Sequence, residues 1–320
     1  MNSNGLFNYM SENSLNSLFR NGKVLTKRDI NGSDAGSLGI NLEKKKMQVM
    51  NARNLIGNKE ICIDKNGFEM IPCNINHLNL DFFNNKEVLD KYYIHCADFI
   101  KDRTGAKNVY AFDHNIRSAS GKKTKKMIKG GQQVQGPAHI VHGDYTLTSA
   151  PERLRQLAKP AGKNDTLRLI LGKSNSLLSQ DCVNETLSNG RFAIINLWRN
   201  IVENPVEINP LALCDASTVS PDDLVVFEIH YTDRIGENYF AKHNKNHEWY
   251  YFNKMTKDEA LLIKQWDSHG SIAKSNGKLS DNESIDNPCT FSFHSAFEDP
   301  STREDAPDRW SMEVRCIVIY

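Results

Sequence analysis

The residues best suited to chemistry lie in Pro137-Ala138-His139-Ile140-Val141-His142-Gly143-Asp144-Tyr145-Thr146, which holds a His-x-Asp pair, His142 and Asp144. The apolar neighbours and the flanking Pro and Thr predict a β-strand that runs into a turn. Side chains two apart on a strand point to the same face. An imidazole and a carboxylate can therefore converge on one point as two ligands of a divalent metal. A third ligand must come from elsewhere. The best candidate is His294, in a second apolar strand-like run, Phe291-Ser292-Phe293-His294-Ser295-Ala296-Phe297. Two histidines and one carboxylate leave coordination positions open, the facial arrangement of non-haem ferrous sites.

The C-terminal run adds an anion-binding pattern. From Arg309 to Tyr320 the chain alternates, with Trp310, Met312, Val314, Cys316 and Val318 on one side and Arg309, Ser311, Glu313 and Arg315 on the other. An Arg and a Ser two apart on a strand can offer a guanidinium fork and a hydroxyl to the same carboxylate. Arg315 competes with Arg309 for that role, because it shares the face and Glu313 could engage either. A metal pair, a distal His and an Arg-x-Ser on the closing strand come in the order in which 2-oxoglutarate oxygenases carry iron and co-substrate.

The elements that must position these groups read mainly as strands. Met47–Met50 and Asn108–His114 are predicted strands, and Ile61–Asp64, Asn66-Gly67 and Phe68–Ile71 read as a β-hairpin. Strands are also predicted over Arg191–Trp198, Leu224–Tyr231 and Glu248–Phe252. Val88–Arg103 has the period of an amphipathic helix, and Ser149–Leu154 starts another with Pro151 in its first turn. A capping-box signature at Thr256–Glu259 predicts a helix through Trp266. Residues 267–288 read as a long loop. Residues 160–190 are Gly/Asn/Ser-rich apart from Leu167–Leu171. Residues 1–40 read as a polar extension, partly disordered, with a short helix at Glu12–Phe19. The chain is thus expected to be one catalytic domain, 41–320, of mainly β (α+β) class. Its natural closed form is a jelly roll, a cupin-like double-stranded β-helix braced by helices.

Composition bounds the function. An apolar content of 39% and a charged content of 25% over 320 residues are those of a water-soluble globular chain with a sizeable core. A net charge of +1 gives no global steering toward nucleic acid or membrane. The seven cysteines are odd in number and widely spaced, which argues against a disulfide framework or a zinc ribbon. No signal-peptide core and no bilayer-length apolar run is present, so a reducing cytoplasm is expected. Lys122, Lys123, Lys125, Lys126 and Lys129 form a basic run just before the metal strand. It reads as a solvated loop or as a lid, whose charge would suit an anionic substrate or a carrier-protein surface. Nucleic acid is disfavoured, because no aromatic stacking set accompanies the lysines.

From about Met47 to its end the chain resembles the oxygenase-like family of cephem-methoxylase-related proteins, which also takes in gibberellin desaturases and the AsaB-like hydroxylase/desaturases of fungal biosynthetic clusters. The matching stretches are Asp64–Phe68, Thr104–Ala106, Ala111–Arg117, Val141–Tyr145, Asn196–Arg199, Pro210–Asp215, His247–Phe252, Asp267-Ser268, His294–Pro300 and Arg309–Arg315. Gly143 stands where a bulkier residue is expected, and the lysine-rich insert and the 267–288 loop are particular to this chain. The resemblance implies a double-stranded β-helix using Fe(II), 2-oxoglutarate and O2 to hydroxylate, desaturate or cyclise a small molecule of specialised metabolism.

On that reading His142, Asp144 and His294 bind iron, while Arg309 and Ser311, with Arg315 as the alternative, bind 2-oxoglutarate. Arg117 and Arg199 could hold an anionic substrate or order the co-substrate, and Tyr145 and Trp198 could line the pocket. His139 lies three residues before His142, faces the other way on a strand, and reads as structural. A homodimer is left open. Two other classes compete: a metal-binding cupin without redox chemistry, which would not need Arg309 and Ser311, and a non-catalytic binding protein, which would need neither set.

Overall fold

The architecture is that of a computed structural model, described for all residues except 1, 30–33, 56–60, 163–164, 233 and 285. The N-terminal strands are β1 (Ser3–Met10), β2 (Leu25–Arg28), β3 (Asp34–Leu38), β4 (Leu42–Asn51), β5 (Phe68–Pro72) and β6 (Asn108–Arg117). After them come β7 (His142–Gly143), β8 (Phe192–Asn200), β9 (Leu211–Cys214), β10 (Leu224–His230) and β11 (Ile235–Ala241). The last are β12 (Trp249–Tyr251), β13 (Glu259–Asp267), β14 (His294–Ala296) and β15 (Ser311–Ile319). They form two sheets, a ten-stranded one ordered β1-β4-β12-β9-β14-β7-β11-β10-β2-β3 and a five-stranded one ordered β5-β13-β8-β15-β6.

Alternation along the five-stranded sheet separates two environments. Ala193, Ile195 and Leu197 of β8 and Met312, Val314, Cys316 and Val318 of β15 pack with Tyr93, Cys96 and Ile100 of the helix Tyr93–Thr104. The opposite face carries Asn196 and Trp198 of β8, and Ser311, Glu313 and Arg315 of β15. At one end of that face Phe192, Ile194, Ile317 and Ile319 join a core with Phe7, Val49, Trp249 and Phe293 of the ten-stranded sheet. The polar rows of the small sheet therefore lie between the two sheets, where the metal strand lies opposite them.

Four local expectations are corrected by the structure. The N-terminal residues are not a loose extension over Ser3–Met10: that segment pairs antiparallel with β4, and Phe7, Tyr9 and Met10 are fully buried. Phe7 stacks on Trp249 at 4.6 Å and on Phe297 at 5.6 Å. Phe7→Ala is expected to cost about 3–5 kcal/mol, read as a shift of the urea unfolding midpoint. An effect below ~1 kcal/mol would mean that β1 is not part of the cooperative core. Glu12–Phe19 forms turns rather than a helix, leaving Leu15 and Phe19 exposed.

The third correction concerns Thr256–Trp266: no helix forms there, and from Glu259 the run is a strand, β13. The capping contact exists, with Thr256 N donating to Glu259 Oε2 at 2.9 Å. The run beyond Glu259 is buried on both faces: Leu261 and Ile263 on one side, Ala260 and Leu262 on the other. A run buried on both sides suits a central strand, and β13 lies between β5 and β8. Fourth, the expected hairpin at residues 61–71 does not form. Gly67 has φ +85°, as the turn requires, but β5 pairs with β13 instead. The stretches read as loops also hold short elements, including the helices Gln180–Asn189 and Ser271–Lys274.

Candidate functional site

β7 is two residues long and lies between β14 and β11. His294 opens β14 and pairs directly with His142, so the two imidazoles stand side by side with ring centroids 4.3 Å apart. Asp144, just past β7, brings Oδ1 to 3.6 Å from His142 Nε2 and 3.8 Å from His294 Nε2. One ligand atom from each of the three lies within 4.8 Å of the others. Both histidines are buried. Gly143 is packed from the far side: a Cβ there would come within 3.1 Å of the Phe291 ring, so a bulkier residue would press on that ring.

His142 and Asp144 have the protonation that metal ligands require. His142 Nδ1 lies 2.7 Å from the Ile140 carbonyl. Only a protonated Nδ1 can donate there, which leaves the Nε2 lone pair directed at the other two ligands. Burial lowers the His142 pKa to about 4, His294 adding to the shift against the pull of Asp144. Burial alone would raise the Asp144 carboxyl. Arg315, His294 and His142, with a hydrogen bond from Asn196, outweigh it and hold the group well below the usual carboxylate range.

The stability of the metal-free protein should therefore depend on pH. The unfolded imidazole takes up a proton near pH 6.5, whereas the folded one stays neutral until about 4. Between those values the unfolded state binds more protons, so stability falls as pH falls from about 6.5 to about 4 and is flat in this respect above that window. Comparing urea unfolding of wild type and His142→Asn across pH 4–7 checks this. An identical pH slope in the two proteins would contradict it.

The register of β15 with its neighbours places polar residues in rows. Arg315 is flanked by Asp113 of β6 and Asn196 of β8, Glu313 by Asn115 and Trp198, and Ser311 by Arg117 and Asn200. Arg315 donates to Asp113 at 3.1 Å, to Glu313 at 2.9 Å and to Asp144 at 3.4 Å. Arg309 stands apart from this network. It is buried and donates to the Asn209 carbonyl, and its guanidinium lies 5.9 Å from the centre of the Trp198 ring. Among the described residues no carboxylate reaches it within ion-pair distance. Burial, with Arg117 nearby, lowers its pKa to about 10. Arg309 Nε and Ser311 Oγ are both buried without a partner among the described residues. Burying a cation is costly unless an anion meets it, and these two orphaned donors fit a carboxylate.

The other expected site residues fall differently. Arg117 donates to the Gly136 carbonyl at 3.0 Å and lies 3.6 Å from Glu313, within the polar rows. Arg199 does not reach the space between the sheets. It lies fully buried on the helix-covered face of β8, donating to the Lys257 carbonyl and to the carbonyl and Sγ of Cys73, because it comes one residue after Trp198 and strand neighbours point oppositely. Trp198 packs with Phe68, Leu213 and Tyr250. Tyr145 packs against the main core, and burial pushes its phenol up to about 12. Asn196 and Asp113 were not singled out from the sequence. Their signal was a polar residue at an alternate position of an otherwise apolar strand.

The family description oxidoreductase/YMDC permease-like domain matches residues 7–319. A protein of Methylophilus leisingeri, described only as uncharacterized and encoded in the dcmA 3' region, is 42% identical over 195 residues, 61% of this chain and 88% of that one. The hydroxylase/desaturase efuI of Hormonema carpetanum is 26% identical over 89% of this chain and 88% of its own length. The Fe(II)/2-oxoglutarate-dependent dioxygenase nvfI of Aspergillus novofumigatus is 30% identical over 71% of this chain and 66% of its own. The solved structure of the iron and alpha-ketoglutarate-dependent endoperoxidase NvfI superposes with a TM-score of 0.68 at 23% identity, covering 99% of this chain and 97% of that one. The chain belongs to this family of Fe(II)/2-oxoglutarate-dependent oxygenases. Its two-sheet architecture is the jelly roll of those enzymes.

Proposed function

We propose that this oxygenase holds Fe(II) with His142, Asp144 and His294, and holds 2-oxoglutarate with Arg309 and Ser311. The observation that carries the reading is the meeting of ligand atoms from His142, Asp144 and His294 within 4.8 Å, in a protein that also buries an arginine with no anion among the described residues. With iron, 2-oxoglutarate and O2 bound, the chemistry supplied is oxidative decarboxylation to succinate and CO2 coupled to oxidation of a small molecule. The protein's own part is placement. Ile140 fixes the His142 tautomer, and Arg309 with Ser311 receives the distal carboxylate. Arg315 is held by three carboxylates and is the weaker candidate for the co-substrate.

The relatives named for hydroxylation, desaturation and aspirochlorine biosynthesis support a substrate from specialised metabolism. Hydroxylation, desaturation and oxidative cyclisation share the same machinery and differ in which C–H is presented. The lysines support an anionic or carrier-borne substrate. All five are exposed, and the segment bearing them is tied to the strand ends that carry Arg117 and Arg309: Ser118 and Ser120 donate to Asp308, and Trp310 packs on Gly121 and Val134. Among the described residues no helix is long and apolar enough to cross a membrane. A cytoplasmic enzyme, alone or as a homodimer, fits that. The burial of Phe7 and Tyr9 favours one catalytic unit that includes the N-terminal strand. The test is conversion of 2-oxoglutarate to succinate by purified protein with and without added Fe(II). Stoichiometric succinate only with iron is expected, and its absence under saturating 2-oxoglutarate and O2 would overturn the reading.

A further inference from the structure

We infer that Asn196 and Arg315 are positioning residues that hold Asp144 as a one-atom metal ligand, an inference that rests on the metal site proposed above. The two carboxylate oxygens of Asp144 have different surroundings. Oδ1 faces both histidine Nε2 atoms, at 3.6 and 3.8 Å. Oδ2 is turned to the five-stranded sheet, where it accepts from Asn196 Nδ2 at 3.2 Å and Arg315 Nε at 3.4 Å. A carboxylate whose second oxygen is engaged this way presents one atom to an ion, and two-atom chelation would require it to rotate away from both donors. One-atom ligation keeps open the position that a chelating keto acid needs beside O2.

Arg315 can do this because each of its guanidinium nitrogens is already engaged. Its terminal nitrogens donate to Asp113 and Glu313, and Asn115, with its amide turned so that the oxygen faces the guanidinium, accepts from both at 2.8 and 3.1 Å. The strand register sets the row Asp113–Arg315–Asn196 across three adjacent strands, so the clasp comes from one sheet and the two imidazoles from the other. The same cage argues against Arg315 as an anion receptor, since three carboxylates already occupy its fork.

Two substitutions test the clasp. Asn196→Leu removes one donor without changing any charge, and Arg315→Lys keeps the charge but loses the fork. Metal-free full-length protein is titrated with Co(II), monitored by its visible absorption. The 2-oxoglutarate Kd is then measured on Co(II)-saturated protein, and melting of the metal-free proteins reports folding. Both variants are expected to stay folded and to lose about 10- to 100-fold in Co(II) affinity. Co(II) affinity within twofold of wild type in folded Asn196→Leu overturns the inference. A loss of 2-oxoglutarate affinity in Arg315→Lys with Co(II) affinity intact also overturns it, and makes Arg315 the co-substrate anchor. Failure of the wild type itself to bind Co(II) is a different result, which removes the proposed metal site rather than the clasp.

Discussion

Replacing His294 with alanine is expected to bring Fe(II)-dependent succinate formation to background and to weaken metal binding by more than ~100-fold. Changes in residues that merely support a ligand commonly cost 10- to 100-fold, and His294 is one of three direct donors. The loss should be chemical rather than structural. His294 Nε2 lies 3.8 Å from an Asp144 carboxylate that Arg315 and Asn196 continue to stabilise, so no buried charge is stranded. The metal-free variant should therefore melt within a few degrees of wild type while failing to gain stability when Co(II) is added. Calorimetric titration and melting with and without the ion read both effects. A His294→Ala protein that binds Co(II) like wild type would take His294 out of the site.

Removing Arg309 should act on the co-substrate and spare the metal. Arg309→Met is expected to cost about 2–4 kcal/mol in 2-oxoglutarate binding, roughly 30- to 1000-fold, with Co(II) affinity little changed. Stability should move the opposite way from an ordinary core truncation. The guanidinium is buried, has no carboxylate within ion-pair reach among the described residues, and carries an unpartnered Nε. A methionine of similar length is thus expected to leave the ligand-free protein as stable as wild type or more so, while abolishing the melting shift that 2-oxoglutarate produces. Unchanged 2-oxoglutarate affinity would exclude Arg309 as the anchor and leave Arg315 and Arg117, whose guanidinium groups lie in the same polar rows, as the next candidates.

Much of the site could be read before any fold was known, because its logic is period two. His142 and Asp144 flank a single residue, and Arg309, Ser311, Glu313 and Arg315 share a strand face. The same parity puts Arg199 elsewhere: one residue after Trp198, it belongs to the opposite face, and its arginine chemistry was weighed above its parity. The strand at Ala260–Trp266 was missed because Thr256 and Glu259 make a real capping contact that local pattern cannot tell from the start of a helix. Its burial on both faces is a tertiary fact. The N-terminal strand was hidden by Asn-rich composition, although Phe7 and Tyr9 already lay two apart, on one face of a strand.

Residue types and their spacing alone determined that this chain carries two imidazoles and a carboxylate suited to iron, and an Arg-x-Ser suited to a keto acid's far end. Only the tertiary structure decided which arginine is free. By parity along the run, Arg309, just before β15, and Arg315 within it are equivalent. They differ because the neighbours across the sheet, Asp113 and Asn196, and Asp144 on the facing one, close around Arg315, while Arg309 meets no anion among the described residues. Cross-strand pairing joins residues far apart in the chain, and no local reading contains it.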